Sequence, residues 1–404
     1  MSLAPRTARR LSLLAPGLLA GLSILSAGTS WAQPPTGIAG STDPAAKIPF
    51  TEYDPPQTLK VPQHPIERAR FPFVDVHSHQ FELDEGKVRQ LLVEMDAMNM
   101  AVMVNLSGRG FRRLEEPGKP PRFALQPPQY LKDLIALTDR LAPGRFAHFT
   151  NVDFSGVGSP GWAERAIAEL EGDVKAGARG LKIYKGLGMD SRDVDGKRIP
   201  VDDPRLDPIF EACARLGIPV LIHTADPFQF WQPKDKSNER LYELIEVPGR
   251  ERDPKDNVPW EQLIGEQHER FRRNPRTTFV NAHLGWLGND LERLGKLMDE
   301  CPNVVTEIGA VLAELGRQPR FARDWITRHQ DRVLFGKDSY EPSEYRAYFR
   351  VLETADDSFP YYRRRHAFWK IYGLDLPESV LRKVYFENAR RLVPGLGAMS
   401  GSAD

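Results

Sequence analysis

The sequence contains little cysteine and no net charge. Of its 404 residues only Cys213 and Cys301 are cysteines. Two cysteines are too few for a disulfide-rich scaffold, and these two do not have the paired spacing of a structural zinc site. Lysine plus arginine (55) equals aspartate plus glutamate (55), so no long-range field attracts a polyanion, and we expect no nucleic-acid partner. What remains is an ordinary globular composition, 41% hydrophobic and 27% charged, which the length could divide into two domains or use in one α/β barrel.

The N-terminus has the pattern of an export signal. Three arginines precede the apolar residues 11–25, and Ser30-Trp31-Ala32 places small residues where a cleavage site needs them. We therefore predict that residues 1–32 are a signal peptide and that the mature protein is periplasmic or secreted, with no stable membrane anchor. A retained anchor is the alternative, which proline and glycine within the apolar run and the lack of a basic stop-transfer cluster disfavour.

The rest of the chain alternates between short β-rich apolar runs and segments of helical periodicity. We predict a flexible segment over 33–70, a single catalytic domain over 71–396 and a disordered tail over 397–404. Eight apolar runs, the number that closes a (β/α)₈ TIM barrel, begin at Phe73 and end at Phe335. An open, doubly wound sheet is the rival architecture, and a homo-oligomer is compatible with either.

Two connections are longer than ordinary loops of α/β units. Residues 107–127 carry arginines, of which Arg109 is the first, and residues 225–257 carry Phe228 and Trp231. Because both connections leave the carboxyl ends of strands, we expect Arg109 to bind a substrate carboxylate and the two aromatic side chains to cover the substrate cavity. The alternative is that these side chains only pack within their own loops.

Four histidines and one aspartate end predicted strands. His77 and His79 close the first strand in an H-x-H pair, His223 closes the fifth, His283 closes the sixth and Asp338 follows the eighth. Alternate residues of an extended chain point the same way, so His77 and His79 can reach one ion. Only nine histidines exist in the chain, and four at strand ends indicate a metal site at one face of the barrel.

This constellation resembles the amidohydrolase superfamily of metal-dependent barrels. The segment Ala282-His283-Leu284-Gly285-Trp286 and the closing segment 386–392 are similar to its amidohydrolase-related branch, which includes aminocarboxymuconate-semialdehyde decarboxylase. The resemblance spans about Phe73 to Leu392. It implies that His77, His79, His223 and Asp338 ligate one divalent ion, with zinc as the expected metal, and that His283 and Asp338 act as catalytic residues.

Lys182, on the fourth predicted strand, has three interpretations, of which the simplest is a lysine that reaches solvent along the barrel wall. Some superfamily members carbamylate a lysine here and use it to bridge two metals, which would give a binuclear site that also includes His283. In the branch that the sequence resembles, the lysine is unmodified, and Lys182 would bind a substrate anion or carbonyl. Glu307, after the seventh strand, could support a ligand histidine or pair with an arginine.

Three functions are consistent with these residues. The first is an exported metal-dependent hydrolase that uses activated water on an amide, ester or lactone. The second is a non-oxidative decarboxylase of a carboxylated, perhaps aromatic, substrate. The third is a periplasmic protein that binds the metal without turnover. In the first two, the partner is a small molecule that could carry a carboxylate.

Overall fold

A computed structural model describes residues 42–115, 122–363, 365 and 369–396. The predicted signal peptide and the predicted C-terminal tail lie outside these residues. The chain divides into two units, Met1–Gln57 and Thr58–Asp404. In the first unit the described part contains one 3-10 turn, Pro44–Lys47, which begins where the Asp43 side chain accepts a hydrogen bond from the amide of Ala45.

The second unit contains a sheet of eight parallel strands. Each strand pairs with the next one along the chain, so that the order in the sheet follows the sequence. A short antiparallel hairpin, β3 (Phe111–Leu114) and β4 (Arg122–Leu125), is separate from this sheet. The eight parallel strands are β1 (Phe73–Ser78), β2 (Met100–Asn105), β5 (Phe146–Asn151), β6 (Gly180–Ile183), β7 (Val220–Ile222), β8 (Phe279–Asn281), β9 (Val304–Glu307) and β10 (Val333–Leu334).

The last strand meets the first, so the sheet closes on itself. The amide of Val76 donates to the carbonyl of Phe335 at 3.0 Å, and the amide of Asp338 donates to the carbonyl of His77 at 2.6 Å. Ser78 and Asp338 form a further parallel bridge. The predicted (β/α)₈ barrel is therefore confirmed and the open sheet is excluded.

Helices occupy the connections between the strands. Polar caps begin some of them, as where Asp84 accepts from the amide of Lys87 at 2.8 Å and Asp290 from that of Arg293 at 3.0 Å. The helices are α1 (Glu85–Met98), α2 (Pro128–Leu141), α3 (Trp162–Ala176), α4 (Gly186–Met189), α5 (Asp207–Leu216), α6 (Leu241–Glu246), α7 (Trp260–Arg273), α8 (Leu291–Glu300), α9 (Leu312–Arg317), α10 (Pro319–Arg328), α11 (Pro342–Glu353), α12 (Glu378–Arg382) and α13 (Asn388–Leu392).

The core has two layers because successive strand residues point to opposite faces of the sheet. One set fills the barrel interior and includes Val74, Val76, Val104 and Leu221, with Ala389 of α13 packed against it. The other, larger set packs the outer faces of the strands against the helices. This arrangement makes the barrel a packed scaffold, so that chemistry is confined to the ends of its strands.

None of the helices in the described part of the chain is both long and apolar enough to cross a bilayer.

Candidate metal and active site

The structure brings the five predicted site residues together. His77 lies in β1 and His79 just beyond it, while His223, His283 and Asp338 follow β7, β8 and β10. The centroid of the His77 ring lies 5.3 Å from that of His79 and 4.8 Å from that of His283. The ring centroids of His223 and His283 are 4.5 Å apart. Asp338 Oδ1 lies 3.4 Å from His77 Nε2 and 3.7 Å from His79 Nε2. A single cluster therefore stands at the carboxyl face of the barrel.

Buried Asp75 joins β1 and the segment after β10, which carry three of the five residues of this cluster. Its Oδ1 accepts from the amide of His77 at 2.9 Å and from the amide of Lys337 at 3.1 Å, and its Oδ2 accepts from the Tyr345 hydroxyl at 2.6 Å. Asp338 itself has a left-handed backbone with φ of 80°, which is unusual for a residue with a side chain. The position of the Asp338 carboxylate is thus set by the junction of β1 and β10.

A tight left-handed turn carries His283. Four successive residues from His283 to Trp286 have φ between 53° and 59°, a strained conformation for all but Gly285. A side chain at Gly285 would overlap the buried amide of Asn281. The turn aims the His283 ring at His77 and His223, and Trp286 stacks on it with the centroids 4.5 Å apart.

Several buried polar atoms of the cluster have no hydrogen-bond partner among the described residues. They are the Nε2 atoms of His77, His223 and His283 and the Nζ of Lys182. Buried polar groups in native proteins are nearly always satisfied, so an unpartnered group calls for an explanation. Among the described residues, His77, His79 and Asp338 each place a ligand atom within 4.8 Å of the others, and so do His77, His283 and Glu307. Imidazole nitrogens clustered with a carboxylate have the donor chemistry of a zinc site.

The Nδ1 atoms of His77, His79 and His283 have partners in the structure, and two of these partners define the tautomer. His77 Nδ1 donates to buried Glu307 Oε1 at 3.0 Å, and His283 Nδ1 donates to the carbonyl of Gly309 at 2.8 Å. His79 Nδ1 lies 2.7 Å from Ser107 Oγ. With the proton on Nδ1, each Nε2 presents a lone pair to the cluster, as a metal ligand requires. Of the two partners expected for Glu307, a histidine or an arginine, the structure pairs it with a histidine, His77.

Electrostatics keep His77, His79 and His223 neutral and Asp338 charged. Burial, and after it the Lys182 ammonium, holds the pKa of His77 well below its usual value and lowers the pKa of His79 to about 4. Burial likewise holds the pKa of His223 well below normal. Burial opposes ionisation of Asp338, but the surrounding imidazoles and Lys182 outweigh it and lower the pKa of this carboxyl group to about 2. Neutral imidazole and ionised carboxylate are the forms that bind a divalent cation.

Lys182 is buried at the edge of the cluster. Its side chain is 1% exposed, and burial lowers its pKa to about 8. Its Nζ lies 5.4 Å from the centre of the Tyr184 ring. Lys185, the next lysine along the chain, is instead paired with Asp226 at 2.5 Å. An unpaired buried ammonium is costly, which makes Lys182 a candidate for binding an anion.

A cavity of ≈ 520 Å³ adjoins Lys182. Its walls are apolar at Phe111, Phe154, Tyr184 and Leu187, and Arg192, Asp153 and Asp190 add charged groups of both signs. The Phe111 and Tyr184 rings meet edge to face with their centroids 5.6 Å apart. The volume of this cavity fits a small molecule.

Three residues predicted to contact substrate, Arg109, Phe228 and Trp231, instead contact other parts of the protein. The Arg109 guanidinium is held by the carbonyl of Gln126 at 2.7 Å and by the carboxylates of Glu169 and Asp173 at 2.9 and 3.3 Å. It is 4% exposed, so its charge is already compensated and the structure does not support it as a free carboxylate binder.

The loop that carries Phe228 and Trp231 packs against the start of helix α7 and the residues just before it. The Phe228 ring meets the Trp260 ring edge to face at 5.9 Å, and Trp231 Nε1 donates to the carbonyl of Val258 at 2.9 Å. Both side chains keep partial exposure, and these contacts do not bring either ring to the histidine cluster.

Two residues near the site were not predicted, namely Ser107 and Tyr184. Ser107 is a small polar residue just past β2, and Tyr184 lies two residues after Lys182. The period-two alternation of β6 offered a signal for Tyr184, because it places residues 182 and 184 on the same face. Ser107 has no comparable signal, since its role depends on the neighbouring strand.

The family of the chain follows from a sequence comparison. The family model described as Amidohydrolase matches residues 131–395, which is more than half of the chain. The chain therefore belongs to the amidohydrolase family, a family of metal-dependent enzymes, as predicted. The match includes Lys182, His223, His283 and Asp338. Among curated proteins, none matches significantly.

Solved structures with similar folds include enzymes of different reactions. A dihydroxybenzoic acid decarboxylase from a Polaromonas species, with bound manganese and an inhibitor, is 14% identical, with a TM-score of 0.48 over 79% of this chain and 96% of that chain. A 4-oxalomesaconate hydratase from Rhodopseudomonas palustris is 16% identical, with a TM-score of 0.45 over 80% and 95%. An amidohydrolase from Burkholderia multivorans is 15% identical, with a TM-score of 0.43 over 80% and 99%.

Proposed function

We propose that this protein is an exported, metal-dependent hydrolase that acts on a small carbonyl compound bearing a carboxylate. Two groups of atoms at the barrel face carry the proposal. The first is the pair of His77 and His79 Nε2 atoms beside Asp338, with the Nε2 of His223, which has no partner among the described residues, in the same cluster. The second is the buried ammonium of Lys182, which likewise has no partner there. The first group suits a cation, and the second suits an anion. A substrate that is hydrolysed next to the metal while its carboxylate contacts Lys182 satisfies both.

The metal site consists of His77, His79, His223 and Asp338. His77, His79 and Asp338 each place a ligand atom within 4.8 Å of the others. With His223 as the fourth ligand, their three neutral imidazoles and one carboxylate would suit a single Zn²⁺ ion. When bound there, zinc supplies Lewis acidity and lowers the pKa of water toward neutrality. His283 lies among the ligand rings, but its Nε2 is assigned to catalysis in this proposal.

Two side chains handle protons during hydrolysis. His283 donates from Nδ1 to the carbonyl of Gly309, so its Nε2 can accept a hydrogen bond from the attacking water and orient it. Asp338 is ionised, and its side chain is 37% exposed, unlike the fully buried rings of His77 and His283. Its carboxylate can therefore accept the proton of that water and deliver it to the leaving group.

Lys182 and the cavity bind the remainder of the substrate. The Lys182 ammonium is the one basic group of the described cavity wall that is both buried and unpartnered. A substrate carboxylate there would restore the interaction that burial removes from the lysine. Phe111, Phe154 and Tyr184 then contact an apolar or planar part of the same molecule.

Non-oxidative decarboxylation is the second candidate, and Lys182 is the observation that favours it. A carboxylate held by Lys182 could be the group that leaves as carbon dioxide instead of a group that only anchors the substrate. The two reactions differ in products, so a direct assay separates them. Purified protein loaded with zinc should be incubated with esters, lactones, amides and carboxylated phenols, with detection of acid release and of carbon dioxide.

The expected result is acid release without carbon dioxide, slowed about 100-fold or more in Asp338→Asn. Carbon dioxide release without a hydrolysis product would select the decarboxylase. Metal analysis of the same preparation addresses the binuclear alternative, because two ions per chain together with the mass of a carbamate on Lys182 would overturn the single-ion site.

Export forms a separate part of the proposal and rests on residues 1–32, which match the pattern of a cleaved signal peptide. Intact-mass measurement of protein recovered from the periplasm or medium should give a mature chain that begins at Gln33. Recovery of residues 1–32 on the mature protein would contradict it.

A further inference from the structure

His79 lies beyond the end of β1, so pairing of the strand backbone does not hold it. The side chain of Asn105, at the end of neighbouring β2, extends that pairing. Asn105 Oδ1 accepts from the amide of Gln80 at 3.0 Å, and Asn105 Nδ2 donates to the carbonyl of Gln80 at 3.1 Å. Asn105 and Gln80 are both buried. This two-point contact fixes the backbone that follows His79.

The same amide positions Ser107. Asn105 Oδ1 also accepts from the amide of Ser107 at 3.0 Å. The Ser107 side chain is buried, and its Oγ lies 2.7 Å from His79 Nδ1. Backbone and ring of His79 are therefore held from one place on β2.

The contacts of Tyr184 determine which atoms donate in the hydrogen bonds that link Tyr184, Ser107 and His79. Ser107 Oγ lies 3.0 Å from the Tyr184 hydroxyl, which donates to the carbonyl of Leu106 at 3.3 Å. Because that carbonyl can only accept, the Tyr184 oxygen is left to accept from Ser107. The Ser107 oxygen in turn accepts the proton on His79 Nδ1.

We propose that Ser107 is a positioning residue for His79 and that Tyr184 completes the hydrogen-bond chain that sets its tautomer. The chain keeps the proton on Nδ1 and turns the Nε2 lone pair toward Asp338, 3.7 Å away. Without the Ser107 hydroxyl the ring is free to rotate and to carry its proton on Nε2, which cannot then bind a cation. The inference rests on the proposed metal site. Tyr184 also lines the cavity, so one residue contacts both the substrate space and the support of a metal ligand.

Zinc affinity tests the inference without reference to turnover. Full-length protein stripped by a chelator is titrated with Zn²⁺ in competition with a chromogenic chelator, for wild type, Ser107→Ala, Ser107→Thr and Tyr184→Phe. Ser159→Ala is the matched control, because its hydroxyl donates to the carbonyl of Gly156 at 2.8 Å in another loop. Thermal unfolding of each metal-free variant reports on the fold separately.

Loss of the Ser107 hydroxyl should weaken zinc binding about 10- to 100-fold, the usual effect of removing a partner of a ligand histidine. Ser107→Thr should recover most of the affinity, Tyr184→Phe should weaken it by less than Ser107→Ala, and Ser159→Ala should bind as wild type does. The metal-free melting temperatures of Ser107→Ala and Ser159→Ala should agree. If Ser107→Ala binds zinc as tightly as wild type, or if threonine restores nothing, the positioning role is wrong. Absence of zinc binding by wild-type protein would instead overturn the metal site itself.

Discussion

Replacing Lys182 with methionine should make the metal-free protein more stable while it impairs function. Methionine has a similar length and no charge, and the lysine side chain is 1% exposed with no partner for its Nζ among the described residues. Burial lowers the pKa of Lys182 from 10.5 to about 8. At about 1.4 kcal/mol per pKa unit, keeping the ammonium charged at pH 7 costs about 3 kcal/mol.

The pH dependence of this effect has a defined sign. Between pH 8 and 10.5 the unfolded chain holds the Lys182 proton and the folded chain has released it, so the stability of wild type rises with pH in that window. Below pH 8 both states are protonated and the full cost remains. The advantage of Lys182→Met should therefore be greatest at pH 7 and should fade above pH 8.

Urea unfolding of chelator-treated protein at pH 7 and pH 10 measures both quantities. Lys185→Met is the matched control, because Lys185 is more exposed and is already paired with Asp226, so its replacement should not stabilise the protein. A Lys182→Met variant less stable than wild type at pH 7 would refute the reasoning, since it would show that the charge of Lys182 is compensated in the folded state.

Four further results are expected. Asp338→Asn should retain part of the zinc, measured by metal analysis, and lose two or more orders of magnitude in turnover, because it keeps an oxygen ligand but not the charge or the proton acceptor; turnover near the wild-type rate would contradict this role. Glu307→Gln should weaken zinc binding about 10-fold or more, since His77 Nδ1 loses a charged acceptor, and unchanged affinity in a chelator competition would argue against it. Gly285→Ala should lower the free energy of unfolding by more than about 1 kcal/mol, because its left-handed backbone lies against Asn281, and a neutral effect in urea unfolding would refute the strain. Between pH 7.5 and 5, the free energy of unfolding of wild type should fall by about 2 kcal/mol more than that of His148→Gln. Burial lowers the pKa of His148 in the folded chain to about 4, so the unfolded chain gains the proton first as the pH falls. Equal losses in the two proteins would show that His148 does not titrate in this way.

The barrel could be predicted from the sequence because its signal is local. Each of the eight apolar runs matches one parallel strand, from Phe73–Ser78 to Val333–Leu334, since buried strands need continuous apolar residues. The five metal and catalytic candidates could be found for a related reason. His223 and Asp338 are distant in sequence, but parallel strands place their carboxyl ends at one face of the barrel.

Partners at long range could not be predicted. The positive charge of Arg109 is compensated by Glu169 and Asp173 on α3, about sixty residues further along the chain. The sequence near Arg109 contains no pattern that predicts this pairing. The hairpin of β3 and β4 lies within the connection over 107–127, which the sequence predicts as a loop, because strands of only four residues give little periodic signal. Ser107 and Glu307 owe their positions beside His79 and His77 to neighbouring strands, so only the packed barrel shows which histidine each supports.

Metal stoichiometry tests the central claim, that His77, His79, His223 and Asp338 form one metal site, most directly. Zinc content should be measured by mass spectrometry on the wild-type chain and on the double variant His77→Ala/His79→Ala, with circular dichroism to confirm that both are folded. We expect one ion per wild-type chain and none in the double variant, with the barrel intact because its stability comes from the packed layers of the strands. Full zinc occupancy in a folded double variant would contradict the account.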